Sequence, residues 1–475
     1  MFTIEGREYR HCDGIPRRKF LTAGALGVGG LTLVDLLRAE SSSGAGSSRK
    51  AVINVHLDGG PPQLDTIDLK PDAPKEIRGE FSSIPTVLPG FRICELLPKL
   101  AGIADRFAFI RSLVGSVGAH NAFQCHSGFR ANELQGVGGR PALGSAIANL
   151  RGRPSDPAPP FVDLMQGRAL VRNSARPGFL GPAFGPFRPD ISKLFSRPLE
   201  DGMKKELAGL GDSHSTPLTL IEGLSAQRLT DRVALLSDLD RIRRHVDSSG
   251  HMEAIDRFTQ QAVGILTSGQ FAEALDLSRE DPRVLEKYTL PNAKERDKGR
   301  FVTNDESAAS KKFLLARRLV EAGVRCVSIS IGDFDTHSKN FPRMRHVLPI
   351  LDCGLWALVT DLEERGMLDD VSVVVWGEFG RTPKIDSKGG GQGARHHWPR
   401  VSIAMLAGGG MRVGQVIGKT DKHAGSAVSR PVSFKDVLAT VYHNLGIDPL
   451  RTTITDPTGR PHYLLDDGEP IRELV

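Results

Sequence analysis

Residues Ala51–Leu57 have the sequence AVINVHL, and this run ends at Asp58-Gly59-Gly60-Pro61-Pro62. A short, β-branched apolar run that stops at turn-forming residues is typical of a buried strand. We therefore predict the first strand of a sheet here, with Asp58 directly beyond its carboxyl end. In open α/β sheets, ligand-binding groups collect at that edge.

The rest of the chain alternates between strand-like and helical patterns. Strand-like apolar runs are predicted at 107–110, 161–164, 324–331, 371–376 and 401–406. Helical periodicity is predicted at 229–245, 252–268, 306–322, 347–365 and 434–445. This alternation favours an α/β fold with a doubly wound, mostly parallel sheet and helices on both faces. The segment 152–304 opens with Pro- and Gly-rich sequence and continues as two charged helices, which predicts an insertion or helical cap.

The N-terminal segment carries a targeting pattern. Arg17 and Arg18 precede a weakly apolar, Gly- and Ala-rich stretch at 20–37, and a small polar run follows at 40–48. That order is typical of a twin-arginine (Tat) signal, whereas an ordinary helix would tolerate the four glycines of Ala23–Gly30 poorly. We predict a Tat signal segment and spacer at 1–48 and a folded domain at 49–475. The Tat translocase would export it to the periplasm or beyond, with membrane contact only through an uncleaved signal segment.

The composition excludes several classes of function. The 475 residues carry a net charge of +6 from scattered Arg and Lys, so no nucleic-acid partner is expected. The five cysteines form no Cys-x-x-Cys pair, which argues against a disulfide framework or a zinc ribbon. A redox protein is disfavoured because the sequence has no haem motif, ferredoxin-like cysteine set or dinucleotide fingerprint.

Carboxylates and imidazoles flank several predicted strands. They are Asp58 after the first strand, Asp333, Asp335 and His337 after 324–331, Glu378 after 371–376, and His396 and His397 before 401–406. Taken singly, each has a structural explanation, such as a turn at Asp58 or a helix N-cap at Asp335. Together they would crowd negative charge into a poorly solvated place unless a cation compensated it.

We therefore predict a divalent metal site. Its proposed ligands are Asp58, Asp335, His337, Glu378 and His397. A mixed oxygen and nitrogen set suits zinc, manganese or iron, and calcium or magnesium would be favoured if the carboxylates dominate.

Several phrases resemble known families. The order of Asp58, Asp335, His337, Glu378 and His397 resembles the alkaline phosphatase superfamily, which includes sulfatases. More narrowly, LDGGPPQLDTIDLKPDAP at 57–74, FDTHSKNF at 334–341, GEFGRTPKID at 377–386 and HHWPRVSIAMLAGGGMRVGQVIGKTD at 396–421 resemble the bacterial domain of unknown function 1501. The resemblance implies an alkaline phosphatase-like fold and metal-dependent hydrolysis of an anionic ester. Its substrate would be a phosphate or sulfate ester, either of a small molecule or of a polysaccharide.

The chain departs from those families around the nucleophile. Cys125-His126-Ser127-Gly128-Phe129 does not supply the Cys-x-Pro-x-Arg phrase of formylglycine sulfatases, and Glu378 is followed by Phe379 where superfamily members commonly carry His. The nucleophile stays open among Ser112, Ser116, His120, Cys125 and Ser127. We take His120 as the first catalytic candidate and expect Arg381 or Arg395 to clamp the anionic group. A non-catalytic exported binding or envelope protein on the same fold is the alternative.

Overall fold

The run Ala51–Leu57 forms the central strand, β1, and is buried along its whole length. It pairs in parallel with Cys326–Ile331 on one side and with Val371–Trp376 on the other. Parallel strands need cover on both faces because their connections pass over the sheet. The computed structural model describes residues 50–475 except 122, 154–155, 173–174, 209–268, 302 and 388–392. The predicted Tat segment, the predicted helices 229–245 and 252–268, and most of the run Gly389–Gly393 lie outside the described residues.

The main sheet has eight strands in the described part of the chain. They are β1 (Ala51–Leu57), β2 (Ala108–Val114), β3 (Phe161–Leu164), β4 (Cys326–Ile331), β5 (Val371–Trp376), β6 (Ser402–Gly408), β7 (Gln415–Ile417) and β8 (Val432–Ser433). Their order is β7-β2-β6-β5-β1-β4-β3, and β8 pairs with β2 beside this path. β6 is antiparallel to β2 and β5, and the other pairs are parallel. The predicted mostly parallel sheet is therefore confirmed.

Helices cover both faces of this sheet. The described α-helices are α1 (Lys75–Arg78), α2 (Pro98–Gly102), α3 (Gln124–Ser127), α4 (Leu143–Arg151), α5 (Arg168–Arg172), α6 (Asp201–Ala208), α7 (Gln270–Leu275), α8 (Pro282–Lys287), α9 (Ala293–Asp297), α10 (Lys311–Glu321), α11 (Asn340–Glu364) and α12 (Phe434–Asn444). Helices α10 and α11 share one buried cluster with Ile53 and Val373, whereas α4 and α12 share the other with Val52 and Val374. Because neighbouring strand residues face opposite sides, these two clusters are the two faces. The predicted double winding is confirmed.

The loops outside the main sheet contain short two-stranded ladders. They pair Ser83–Pro85 with Arg92–Cys94, Gly380–Arg381 with His397–Trp398, Lys419–Thr420 with Ala427–Ser429, and Thr453–Thr455 with Pro461–Tyr463. Cys94, Cys125, Cys326 and Cys353 are buried free thiols. None of the described helices is both long enough and apolar enough to span a bilayer.

Several element boundaries differ from the sequence prediction, and the largest differences are at β2, at α11 and at α10, which begins at Lys311 rather than at 306. Strand β2 continues to Val114 rather than ending at 110, and a loop then leads to the next α-helix, which begins at Gln124. Helix α11 begins at Asn340 rather than at 347. Pro342 lies in its first turn, where a missing N–H costs nothing because first-turn N–H groups have no partner within the helix.

The segment 152–304, predicted as an insertion or cap, supplies part of the sheet. Its strand β3 pairs with β4 along Phe161–Leu164. Within the described residues, the remainder consists of α5 to α9 and their connecting loops. A separate cap region would therefore begin only after Leu164.

The contact between α10 and α11 depends on a glycine. A Cβ at Gly354 of α11 would overlap the Phe313 ring of α10. Gly354→Ala is therefore expected to lower the free energy of unfolding by about 1–3 kcal/mol through overpacking. Gly202 in α6 has nothing within 4 Å of such a Cβ, so Gly202→Ala is the matched helical control and should be neutral or mildly stabilising. Urea unfolding of both variants measures the difference, and equal midpoints would contradict the packing argument.

Candidate metal centre

The candidate residues lie together at one rim of the sheet. Asp58, Asp335 and Glu378 follow the carboxyl ends of β1, β4 and β5, which run in parallel. His397 precedes β6, which is antiparallel to β5, so the start of β6 lies at that same rim. The ladder between Gly380–Arg381 and His397–Trp398 fixes this approach, since Arg381 lies opposite His397.

Four of the side chains form what we call the outer group: His120, Asp335, His337 and His397. Their potential ligand atoms all lie within 4.8 Å of one another. Asp335 is the centre, with its Oδ1 3.1 Å from His337 Nε2 and 3.5 Å from His397 Nε2. Its Oδ2 lies 3.4 Å from His120 Nε2. Three imidazoles and a carboxylate thus converge on one place.

Three further side chains form the inner group: His56, Asp58 and Glu378. Each is buried, and their potential ligand atoms also lie within 4.8 Å of one another. His56 Nε2 is 3.3 Å from Glu378 Oε2. The backbone N–H of Gly59 donates to Glu378 Oε1 at 3.1 Å and so fixes the other carboxylate oxygen.

His120 joins the two groups from the loop after β2. Its Nδ1 lies 2.9 Å from Glu378 Oε1, while its Nε2 faces Asp335. Burial by itself lowers the pKa of His120, but the hydrogen bonds to Asp335 and Glu378 outweigh it and raise the pKa to about 9. Burial likewise raises the pKa of Asp335 and Glu378, yet the imidazoles hydrogen-bonded to them hold both pKa values well below the ordinary range.

Three arginines face the carboxylates. Arg197 pairs with Asp58 and is itself almost completely buried. The Asp335 carboxylate forms ion pairs with two of them: its Oδ2 lies 3.1 Å from Arg168 Nη2, and its Oδ1 lies 2.6 Å from Arg381 Nη2. Formal charge at the two groups is therefore already nearly balanced, so charge alone does not demand a metal ion here.

Unpartnered buried atoms are the observation that does point to a cation. Within the described residues, His56 Nδ1 and Asp58 Oδ1 are buried and have no hydrogen-bond partner, and His56 Nε2 and Glu378 Oε2 have only each other, as an ion pair at 3.3 Å. Leaving one such group unsatisfied costs about 1–3 kcal/mol. A divalent cation would accept a lone pair from each, so the inner group fits a metal. The nitrogen-rich outer group suits zinc or manganese better than calcium or magnesium, which prefer oxygen ligands.

Comparison with known proteins places the chain in a family. The sequence profile described as "Protein of unknown function (DUF1501)" matches residues 49–475. The chain belongs to DUF1501. No match was found among curated proteins.

Solved structures give weaker likenesses to this DUF1501 chain. The PsFucS1 sulfatase from Pseudoalteromonas sp. is 12% identical, with a TM-score of 0.37 over 86% of this chain and 70% of its own. The phosphonate monoester hydrolase of Agrobacterium radiobacter is 13% identical, with a TM-score of 0.34 over 90% of this chain and 77% of its own. At these values neither match carries an argument about the function of this chain.

All five ligands predicted from the sequence lie in the two groups of this DUF1501 site. Asp335, His337 and His397 are in the outer group, and Asp58 and Glu378 are in the inner group. The predicted catalytic residue His120 lies among the outer ligands.

The two arginines expected to clamp an anion are occupied within the protein. Arg381 is fully buried and donates to the carbonyl oxygens of Gly59, Gly60 and Arg395 as well as to Asp335. Arg395 is also fully buried, and its donors go to Asp65 and to backbone carbonyls. Every guanidinium nitrogen of both residues has a partner, so this geometry supports a positioning role, in which Arg381 holds Asp335.

The remaining nucleophile candidates do not touch either group in the described structure. Ser112 Oγ donates to the Arg430 carbonyl, and Ser127 Oγ bonds to backbone carbonyls of its own turn. Burial raises the pKa of Cys125 well above its ordinary value, which keeps it a thiol. Ser116 Oγ has no hydrogen-bond partner among the described residues, and so none within the two groups.

His56 is the functional residue that sequence reasoning missed in this DUF1501 chain. It was absorbed into the apolar run Ala51–Leu57. The available signal was the period of the strand, because Asn54, His56 and Asp58 alternate and a polar residue at every second position of a buried strand marks one face. His56 also supplies the imidazole that Phe379 does not, since it lies beside Glu378.

A cavity of about 640 Å³ adjoins the outer group. His396 lines it, and His396 Nδ1 lies 2.8 Å from His337 Nδ1. The other sequence candidate, Asp333, is buried behind the outer group, where it pairs with Arg343 at 2.7 Å and Arg168 at 3.4 Å.

Proposed function

We propose that this DUF1501 chain is an exported, metal-dependent hydrolase of phosphate or sulfate esters. The observation that carries the proposal is the inner group, in which buried His56 Nδ1 and Asp58 Oδ1 have no hydrogen-bond partner among the described residues and which lies beside a second cluster of ligands. Two adjacent groups of donors are an arrangement that ester hydrolases use to hold both attacking and leaving oxygens.

The charge balance favours an anionic substrate. Asp58, Glu378 and Asp335 are offset by Arg168, Arg197 and Arg381, so any divalent cation adds uncompensated positive charge. A poorly solvated positive site attracts an anion and stabilises the charge that develops during its hydrolysis. A phosphate or sulfate ester meets this requirement, whereas a neutral carboxylic ester or a peptide leaves the charge unpaired.

Each of the two groups would hold one metal ion. His56, Asp58 and Glu378 would hold one metal ion, and His120, Asp335, His337 and His397 another. Such a metal supplies Lewis-acid polarisation of the ester oxygens. His397 is oriented for this, since its Nδ1 lies 2.9 Å from the Gly118 carbonyl and donates to it, which leaves the lone pair of Nε2, the atom that faces Asp335 and His337, for a metal. Arg168 and Arg381 hold Asp335 from both sides.

Water is the nucleophile that this geometry favours. None of the three candidate serines hydrogen-bonds to either group in the described part of the chain. The positively charged rim would hold the ester while a water attacks in line.

The export proposal depends on Arg17 and Arg18. A fusion that carries residues 1–48 ahead of a reporter which folds before transport is expected to reach the periplasm, and Arg17→Lys with Arg18→Lys is expected to retain it in the cytoplasm. Cell fractionation distinguishes the two, and cytoplasmic retention of the unaltered fusion would contradict export.

Metal removal tests the hydrolase directly. The exported protein is expected to contain zinc or manganese by elemental analysis and to hydrolyse 4-nitrophenyl phosphate, bis(4-nitrophenyl) phosphate or 4-nitrophenyl sulfate. Chelation should abolish turnover, and adding back the metal should restore it, because the metal would supply the Lewis acid of the reaction.

The outcomes separate the candidate functions. Bound metal without turnover of any of the three esters would favour the non-catalytic binding protein. Turnover that survives exhaustive chelation would overturn the metal-dependent mechanism.

A further inference from the structure

The cavity beside the outer group has no role in the metal centre. It is lined by Ile77 and by two later segments: one holds Thr382–Ser387 and runs on to Arg400, and the other holds Asp421–Ser426. At about 640 Å³ it lies within the range of small-molecule sites, about 300–1,000 Å³. His396 connects the two places, because it contacts His337 of the outer group and also lines the cavity.

One short strand serves both places. His397 and Trp398 are neighbours in the ladder with Gly380–Arg381, so their side chains point to opposite faces. His397 faces Asp335, and Trp398 lines the cavity. Trp398 Nε1 donates to the Gly425 carbonyl at 2.7 Å, which fixes the indole plane against the second wall. The link between the outer group and the cavity is therefore His396, and a substrate that spans both places would pass this side chain to reach an indole held in a fixed position.

The charges of the cavity wall are mixed and balanced. Besides His396 and His423, its lining holds two cations, Lys384 and Arg400, and two carboxylates, Asp386 and Asp421. A polyanion such as a nucleic acid would meet as much repulsion as attraction here. A purely apolar alcohol would strip water from four charged groups without replacing their hydrogen bonds, which is costly.

We infer that this cavity binds the sugar ring of a carbohydrate ester, so that the substrate is a phosphorylated or sulfated saccharide. A pyranose has an apolar C–H face that covers an indole and a rim of hydroxyls that donate to carboxylates and accept from ammonium and guanidinium groups. The lining supplies one aromatic face and charged groups of both signs, in the right combination for that ligand. The inference rests on the proposed ester hydrolase and names the alcohol that leaves.

The test compares sugar esters with aryl esters on the full exported protein. Kinetics with D-glucose 6-phosphate and D-galactose 6-sulfate are set against 4-nitrophenyl phosphate and 4-nitrophenyl sulfate. In Trp398→Ala, the ratio of kcat/KM for sugar over aryl ester is expected to fall about 10-fold, because the stacking face is lost. Arg400→Ala at the exposed rim changes the fold least and should lower the ratio in the same direction. Trp356→Ala, an α11 tryptophan beneath Lys99 and outside the cavity lining, is the matched control.

A binding measurement makes the two proposals separable. Saturation-transfer NMR with the neutral disaccharides lactose and maltose should show transfer to ring protons that disappears in Trp398→Ala and persists in Trp356→Ala. Such transfer without turnover of any ester would contradict the proposed hydrolase activity and support the sugar-binding cavity. Turnover with an unchanged sugar-to-aryl ratio and no transfer to either disaccharide would overturn the sugar site and keep the hydrolase.

Discussion

Asp335→Asn is expected to lower kcat/KM for aryl phosphate or sulfate by about three orders of magnitude or more, because a metal contributes several kcal/mol to transition-state stabilisation. The carboxylate is the shared neighbour of His120, His337 and His397. Its loss removes the only carboxylate of the outer group, so the metal content of the purified protein should also fall. Elemental analysis and steady-state kinetics on the same preparation measure both effects.

Asp335→Asn needs controls that distinguish loss of the metal site from loss of stability. Asp335 also neutralises Arg168 and the buried Arg381, so Asp335→Asn leaves charge unpaired and lowers stability. His337→Ala removes a half-exposed outer ligand without that penalty and should lose metal and activity alike. His443→Ala, an exposed histidine of α12, should lose neither. Wild-type metal content in both Asp335→Asn and His337→Ala would refute the outer group as a metal site.

His56→Phe is expected to separate function from stability. The variant should lose about one metal ion per chain and at least about 100-fold in kcat/KM, because the inner group keeps only two carboxylates. In chelated protein, however, it should be as stable as the wild type or more so. Replacing a buried imidazole whose Nδ1 has no hydrogen-bond partner by an apolar ring of similar shape removes an unmet hydrogen-bonding demand, and Glu378 keeps Gly59 and His120 as partners.

Thermal unfolding with and without metal measures this contrast. Added metal should raise the Tm of the wild type, since a ligand that binds only the native state stabilises it, and should raise that of His56→Phe less. If chelated His56→Phe unfolds well below the chelated wild type, the His56 ring has a structural partner and the inner group loses its main support.

The rim of the sheet was predictable because strand ends are visible in sequence. Asp58 and Glu378 each follow an apolar run whose bounds agree with the strand found, Ala51–Leu57 and Val371–Trp376. Parallel strands deliver such residues to one edge without further information. To place His397 at the same rim, one must also know that β6 runs antiparallel to β5, and no local sequence pattern gives that direction.

What the sequence did not reveal depends on contacts between distant segments. His56 was hidden because one imidazole in an apolar strand hardly changes its hydrophobic pattern. Arg197 pairs with Asp58 across 139 positions of chain, and no spacing rule connects them. Arg381 was expected to face the substrate, yet backbone carbonyls of the turn after β1 and of Arg395 surround its guanidinium, and only the folded chain brings them together.

Because of the ladder that joins Arg381 to His397, the residues that choose the substrate can vary between family members while the metal ligands stay the same. That pairing holds both ends of the intervening stretch, and the buried Arg395 within it is bound by Asp65 and by backbone carbonyls, so Arg395 stays while the cavity-lining residues before it can be exchanged. Lys384 and Asp386 fall inside this stretch, while Asp335 and Glu378 fall outside it. Transplanting the stretch from one family member to another should therefore transfer preference among substrates while the recipient keeps its own metal affinity, which makes it a natural unit for swapping.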